Sequence, residues 1–400
     1  MFDRRDLLRG VLGVPLLGLA GDLMYEAKDM SNYKKLVKQR DFVIYSDERY
    51  YCAFPSVVCR PDGELLVAFR RAPERRLLGA DDVTHADPNS YLLLVRSNDC
   101  GETWSAEPEL IFAHPLGGSQ DPCMIQLGDG TILCTSYGWC QVPSDYAADD
   151  PYRARYRDFM FMGGYILRSF DGGKSWEEPI IPPPVPSSVT RDHFGAPCPA
   201  FNRGALCEGR DGRLFWGVTS RESVEPQVTS IQLLISEDQG ATWSHACRIA
   251  SDPSGAIQMN ETSLYETPGG NLVAFIRTFG NDDRGAVARS SDGGRSFGPW
   301  EDTGFMGHPH HLLRLPDGRA LLVYGYRHEP FGIRARVLEP ECRDFATAEE
   351  IVIRDDGGNT DIGYPWSALM PDGRMLVTYY FNQDDGTRHI AGSMLAPASA

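Results

Sequence analysis

Phe54, Asp121, Arg203, Glu261, Pro309 and Tyr364 each stand eight residues ahead of an Asp-Gly or Gly-Gly pair, and Arg70, Tyr137, Arg221, Arg277, Arg327 and Tyr380 close the apolar runs that follow those pairs. If each pair is a hairpin turn, one set begins a strand, the other ends its partner, and both arrive at the same edge. Glu261 would then be a general base beside the phenol of Tyr364, which has an ordinary pKa of about 10 and needs such help to attack at neutral pH. Gathering Arg70, Arg203, Arg277 and Arg327 at one concave point of an acidic protein focuses positive potential there. The ligand it favours is anionic and rich in hydroxyls, as a sugar acid is. Asp121 joins these as a candidate contact, or pairs with Arg203. Taken singly, an arginine at a strand end is as well explained by a salt bridge, so the combination carries the reading.

Other reactive side chains point less clearly. In His308-Pro309-His310-His311, alternation along a strand turns His308 and His310 toward the mouth and His311 away. With no carboxylate at ligand spacing, the cluster suits hydrogen bonding to sugar hydroxyls or proton transfer better than metal binding, and His310 is the residue chosen. The ten cysteines show no C-x-x-C pair and no zinc-like spacing, so neither a metal centre nor a catalytic cysteine is expected. No cofactor is implied. The 39 basic and 55 acidic residues give a net charge of −16, which opposes nucleic acid as a partner because such binding depends on neutralising phosphates.

The elements that position these residues repeat along the chain. The turns are Asp62-Gly63, Asp129-Gly130, Asp211-Gly212, Gly269-Gly270, Asp317-Gly318 and Asp372-Gly373. They lie between strand-length runs such as Asn271 to Arg277, and no long segment has a helical period. A second phrase interleaves with the first at Ser97 to Trp104, Ser169 to Trp176, Ser236 to Trp243 and Ser290 to Phe297. It is the Asp box, in which the Asp accepts backbone N–H bonds within a turn, the Gly takes the left-handed conformation and the aromatic ring plugs the turn against the sheet. Units spaced 48 to 82 residues apart suit radial stacking of four-stranded blades. The chain reads as all-β, a single six-bladed propeller over residues 51–400.

Asp boxes on a six-fold repeat, with Asn260-Glu261, Arg277 and a late Tyr364 ahead of Pro371-Asp372-Gly373, resemble the sialidase (neuraminidase) superfamily of glycoside hydrolases over roughly Tyr51 to Met394. The resemblance implies that Tyr364, assisted by Glu261, attacks the anomeric carbon of a keto-sugar acid and that a separate Asp is the acid/base, outside the usual two-carboxylate scheme. Asp87, between the second and third strands of blade one, is the candidate for that Asp, with Asp81 and Asp82 behind it. The resemblance also implies three arginines on the substrate carboxylate, matched bidentately by planar guanidinium forks. The first is absent: the Arg-Ile-Pro phrase reads Ala53-Phe54-Pro55, and the glutamate that would orient that arginine is Tyr380. Joint loss of both charges is coherent, since either alone would be costly in a partly buried site, and it implies altered specificity. Arg277 is the second arginine. Arg327 fits the third by register and Arg334 by its spacing before Tyr364.

The N-terminus reads as an address. Paired Arg4-Arg5 ahead of a short apolar stretch, Val11 to Ala20, resemble a cleavable twin-arginine export signal over residues 1–24 and are too short to span a bilayer. A lead-in of residues 25–50 follows, and the expected location is periplasmic or extracellular. Three functions fit these features: a retaining exo-glycosidase on a terminal sugar acid or other anionic glycan unit, a lyase that abstracts a proton α to a uronate carboxylate through Tyr364 or His310, and a glycan-binding propeller without catalysis. A glycan is the partner in all three, and the oligomeric state is open.

Overall fold

The computed structural model describes residues 33–80, 85–146, 149–384 and 386–398, so the segment expected to be an export signal lies outside the described residues. All six predicted turns form. Their second residue, Gly63, Gly130, Gly212, Gly270, Gly318 or Gly373, has φ between 79° and 94°, a region that costs a residue with a Cβ. At five turns the Asp carboxylate accepts the backbone N–H two residues on, as Asp129 does from Thr131 and Asp372 from Arg374. The exception is Gly269-Gly270, which has no Asp of its own. There Glu341 reaches over from the following blade and accepts the Gly269 N–H at 2.7 Å.

Six antiparallel sheets result, arranged as a β-propeller. Blade one comprises Tyr50–Cys59, Leu65–Pro73, Tyr91–Ser97 and Glu109–Phe112. Blade two is built on Cys123–Gln126, Ile132–Gln141 and Phe159–Ser169. Blade three has Cys207–Glu208, Leu214–Ser223, Val228–Ser236 and Ser244–Ser251, and blade four Gln258–Glu266, Leu272–Phe279, Arg284–Ser290 and Glu301–Met306. Blade five follows with His310–Arg314, Ala320–Tyr326, Gly332–Leu338 and Glu350–Arg354. Blade six has Gly363–Leu369, Met375–Phe381 and His389–Pro397, and its outer strand is Leu36–Tyr45. The segment expected as a lead-in therefore contributes a strand, and the two ends of the propeller chain are joined in one sheet.

The core is radial. Separate apolar clusters fill the seams between neighbouring blades: Leu66, Leu92 and Leu94 of blade one meet Ile132, Cys134 and Leu167 of blade two, and Val323 and Ala335 of blade five meet Val377 and Leu395 of blade six. Each sheet is covered on both faces, which is why strands such as Leu272–Phe279 read as continuous apolar runs and not as alternation. All ten cysteines are free thiols, most of them buried.

The four Asp boxes share one bonding pattern. In blade three, Ser236 Oγ donates to Asp238 at 2.9 Å and accepts Gly240 N–H at 2.9 Å, Asp238 accepts from the N–H and Oγ1 of Thr242, and Trp243 caps the turn. In blade one, hydrogen bonds led by the Thr103 hydroxyl hold Asp99 down at about 2. Blade five has no such phrase, yet Glu339 accepts the N–H groups of Glu341 and Arg343 at the same place. Blade six has no box because its third and fourth strands come from opposite ends of the chain.

Candidate active site

Three of the six positions that stand eight residues ahead of the turns are irregular in the same way. The strand register slips between Ala53 and Ser56, between Asn260 and Thr262, and between Gly363 and Trp366. At those slips Phe54, Glu261 and Tyr364 take φ of 57°, 23° and 52°. A bulge re-aims the side chain it carries, and strained non-glycine residues at one place mark a functional site. Glu261 and Tyr364 are thereby brought together above the axis.

The Tyr364 hydroxyl donates to Glu261 Oε1 at 2.6 Å. One nitrogen of Arg277, Nη1, donates both to Glu261 Oε2 at 2.7 Å and to the Tyr364 oxygen at 3.0 Å. All three are buried or nearly so. Burial would raise Glu261, but the Arg277 charge and the Tyr364 hydroxyl outweigh it and hold the carboxyl below its ordinary range. Burial and the Glu261 charge push the Tyr364 phenol up. At rest the pair is therefore a carboxylate facing a protonated phenol across a short bond, an arrangement in which the phenol proton can pass to Glu261.

Cations surround this pair. Arg327 lies 5.3 Å from the Tyr364 ring and donates to Ile362 O at 3.1 Å and to the Tyr380 hydroxyl at 3.2 Å. Arg203 is wedged between the rings of Tyr364 and Trp366 at 4.9 and 5.0 Å, and its Nη2 donates to the carbonyls of Pro55 and Tyr364. It packs against Tyr364 and makes no hydrogen bond to Asp121. Asp121 instead accepts from the Tyr137 hydroxyl at 2.9 Å, and burial pushes its carboxyl up to about 6. Arg70 is fully buried over the Tyr51 ring at 5.5 Å, and none of its three nitrogens has a hydrogen-bond partner. Beside Glu261 a cavity of about 240 Å³ is lined by Tyr137, Trp139, Phe161 and Phe201. A larger one of about 510 Å³ opens along the axis among Gln126, Glu208, Arg210 and Arg314. Those residues lie toward the hairpin turns, at the end away from Tyr364.

The family model for the BNR repeat-like domain matches residues 158–377, more than half of the chain. The chain belongs to this BNR repeat-like family. It is 25% identical to a sialidase of Micromonospora viridifaciens over 352 residues, covering 83% of this chain and 48% of the relative, so it spans about half the length of that curated relative. Among solved structures, a protein of unknown function from Dyadobacter fermentans DSM 18053 superposes with a TM-score of 0.88 at 51% identity, covering 91% of this chain and 99% of that one. The Hadza microbial sialidase Hz136 superposes with a TM-score of 0.58 at 18% identity over 87% of this chain and 66% of its own, a likeness of fold.

In this BNR propeller three of the predicted site residues are engaged by neighbours other than Tyr364 and Glu261. Arg334 spends its donors on the carbonyls of Ile333, Arg354 and Pro330 within blade five, so Arg327 is the arginine beside Tyr364. His310 is buried among Phe275, Phe305 and Tyr324, where burial pulls it down to about 3. The strand starts at His310, so alternation does not reach back to His308. His308 faces the cations Arg277 and Arg327, with Asp283 at 3.3 Å. Asp87 is clamped by Arg75 through two bonds of 2.6 and 2.9 Å and accepts the Asn89 N–H as well. The guanidinium fork of Arg75 engages both of its oxygens. Asp81 and Asp82 lie outside the described residues.

One hub escaped the sequence reading. Asp361 Oδ1 accepts from the hydroxyls of Tyr51 and Tyr380, each at 3.0 Å, and Oδ2 from Arg388 Nε at 2.9 Å. Its partners are 310, 19 and 27 residues away in sequence, and no local phrase announces it. Among the described residues no three His, Cys, Asp or Glu side chains gather to hold a metal ion.

Proposed function

We propose that this protein is a retaining exo-glycosidase acting on a terminal, negatively charged sugar, with Tyr364 as nucleophile, Glu261 as its base, and Arg277 and Arg327 as the groups that bind the sugar's anion. The observation that carries the reading is the single cluster of phenol, carboxylate and guanidinium at 2.6 to 3.0 Å. Attack of the phenol oxygen on the anomeric carbon, with its proton passing to Glu261, puts developing charge where Arg277 already points. An uncharged nucleophile also approaches an anionic sugar without repulsion. Ala53 and Tyr380 stand where the superfamily resemblance implies an arginine and a glutamate, and that corner is filled by the rings of Phe54 and Tyr380, 5.2 Å apart. We therefore expect turnover of simple aryl sialosides to be weak or absent, and efficient turnover of them would remove the altered-specificity part of the reading.

A polysaccharide and glycoside digestion screen, followed by rapid acid quenching and mass spectrometry of the productive mixture, tests the mechanism. The expected result is a sugar adduct on the peptide that contains Tyr364, absent in Tyr364→Phe. Unsaturated products absorbing in the ultraviolet, with no adduct, would replace hydrolysis by elimination. Binding without turnover, unchanged in Tyr364→Phe, would make this a glycan-binding propeller.

A further inference from the structure

With Asp87 clamped by Arg75, the proposed reaction still needs a group that gives a proton to the leaving oxygen and takes one from water. The connection that carries Asp87 also carries His85, whose side chain is about half exposed at the mouth. His85 Nε2 lies 3.3 Å from Asp361 Oδ1. Its ring is 5.7 Å from the Phe54 ring, which is itself 4.9 Å from the ring of Tyr364. Imidazole and phenol thus flank one shared aromatic side chain.

The surroundings hold this imidazole in place. The Gln120 side chain donates to the His85 carbonyl, Ser90 Oγ donates to the carbonyls of Asp87 and Ser119, and a Cβ on Gly118 would fall 1.7 Å from Asp87 O. Blade two therefore grips the loop closely enough to demand glycine. On the other side, Asp361 is fixed by Tyr51, Tyr380 and Arg388. Although burial would raise it, the bond from His85 and the charge of Arg388 hold this carboxyl well below its ordinary range. A carboxylate only accepts, so Nε2 must be the nitrogen that carries a hydrogen toward it. That leaves Nδ1 as the atom free to exchange a proton, the orientation a carboxylate imposes on imidazole in acid/base sites.

Resting on the hydrolase reading above, we infer that His85, oriented by Asp361, is the acid/base of this propeller in place of Asp87. In the first step Tyr364 Oη bonds to the anomeric carbon as the glycosidic C–O bond breaks. The electron pair of that bond stays on the leaving oxygen, which takes the Nδ1 proton of the His85 imidazolium, while the phenol proton goes to Glu261. In the second step neutral Nδ1 takes a proton from water, the water oxygen bonds to the anomeric carbon, and the Tyr364 oxygen leaves and recovers its proton from Glu261. Configuration is retained, and no other reactant is consumed.

The test compares His85→Gln, whose amide keeps a donor toward Asp361, with the wild type on two substrates of the same sugar, one with an activated aryl leaving group and one with an alkyl or glycosyl leaving group. General acid catalysis is worth about 10² to 10⁴ in rate. We expect kcat/KM on the poor leaving group to fall at least about a hundredfold and first-step turnover of the aryl substrate to fall less than about tenfold. Added azide should restore aryl turnover and yield a glycosyl azide of retained configuration. Asp361→Asn, a change at the positioning residue, should show the same split in weaker form. Equal losses on both substrates without azide rescue, or a change confined to KM, would overturn the acid/base role of His85 and leave a substrate contact. Active Tyr364→Phe would instead overturn the hydrolase reading itself, so the two failures are distinguishable.

Discussion

Tyr364 and Glu261 differ in what their loss should do, because only one of them balances a buried charge. Tyr364→Phe removes the attacking oxygen but leaves the Glu261–Arg277 pair at 2.7 Å intact. It should abolish turnover, by at least about a thousandfold, with a melting temperature close to wild type. Glu261→Gln should also abolish turnover, but it leaves the Arg277 guanidinium buried without its counter-charge, a loss of about 3 kcal/mol by denaturant unfolding. Asp121 behaves oppositely to Glu261 in pH. Its carboxyl, pushed up to about 6 in the folded protein from 3.8, favours folding below pH about 4, and that contribution is lost as pH rises through 6. Above this the ionised form costs roughly 3 kcal/mol at most. Asp121→Asn, which keeps an acceptor for Tyr137, should therefore match wild-type stability near pH 4 and exceed it at pH 8. Equal stability curves across that range would contradict the raised carboxyl.

At the scale of elements, the hairpin turns and the Asp boxes were plain in the sequence because each is a local arrangement: the Asp, the left-handed Gly and the ring lie within eight residues, and the bonds close among them. Ser236 illustrates the energetics. It is buried and accepts the Gly240 N–H, so Ser236→Ala should strand that donor and cost about 1 to 3 kcal/mol. Unchanged kcat and KM would accompany the lower melting temperature, since the box lies on the connection between the third and fourth strands and the chemistry on the inner strand. The bulges at Phe54, Glu261 and Tyr364 were not plain. A fixed offset of eight residues located them, yet nothing in the letters says that the register slips there. That slip, a property of how two strands pair, is what turns Glu261 and Tyr364 toward each other.

For the whole molecule, closure of the ring is the decisive contact. Leu36–Tyr45 pairs with His389–Pro397 across a register running from Leu36 opposite Pro397 to Tyr45 opposite Ile390. Removing residues up to Tyr45 would expose that edge and take the buried side chains of Leu36 and Ile44 out of the core. We expect the truncated chain to lose its cooperative thermal transition and to aggregate, because an open apolar sheet edge is a template for pairing. A soluble truncation product with the wild-type melting temperature would show that the closure is dispensable. The strand was missed as a blade member because its burial alternates only partly, with Lys38, Gln39 and Val43 exposed, and because its partner stands at the other end of the sequence.

The amino-acid sequence by itself determined what depends on neighbours along the chain: six hairpins, four Asp boxes, the number of blades, and the assignment of Glu261, Arg277 and Tyr364 to one mouth. Tertiary structure alone decided which side chains are free to act. Asp87 met Arg75, Arg334 met carbonyls of its own blade and His310 sank among aromatic rings, whereas His85 met Asp361 from 276 residues away. The physical reason is that the reactivity of a titratable group is set by the charge, hydrogen bonds and water within a few ångströms of it, and in a closed propeller those neighbours come from other blades.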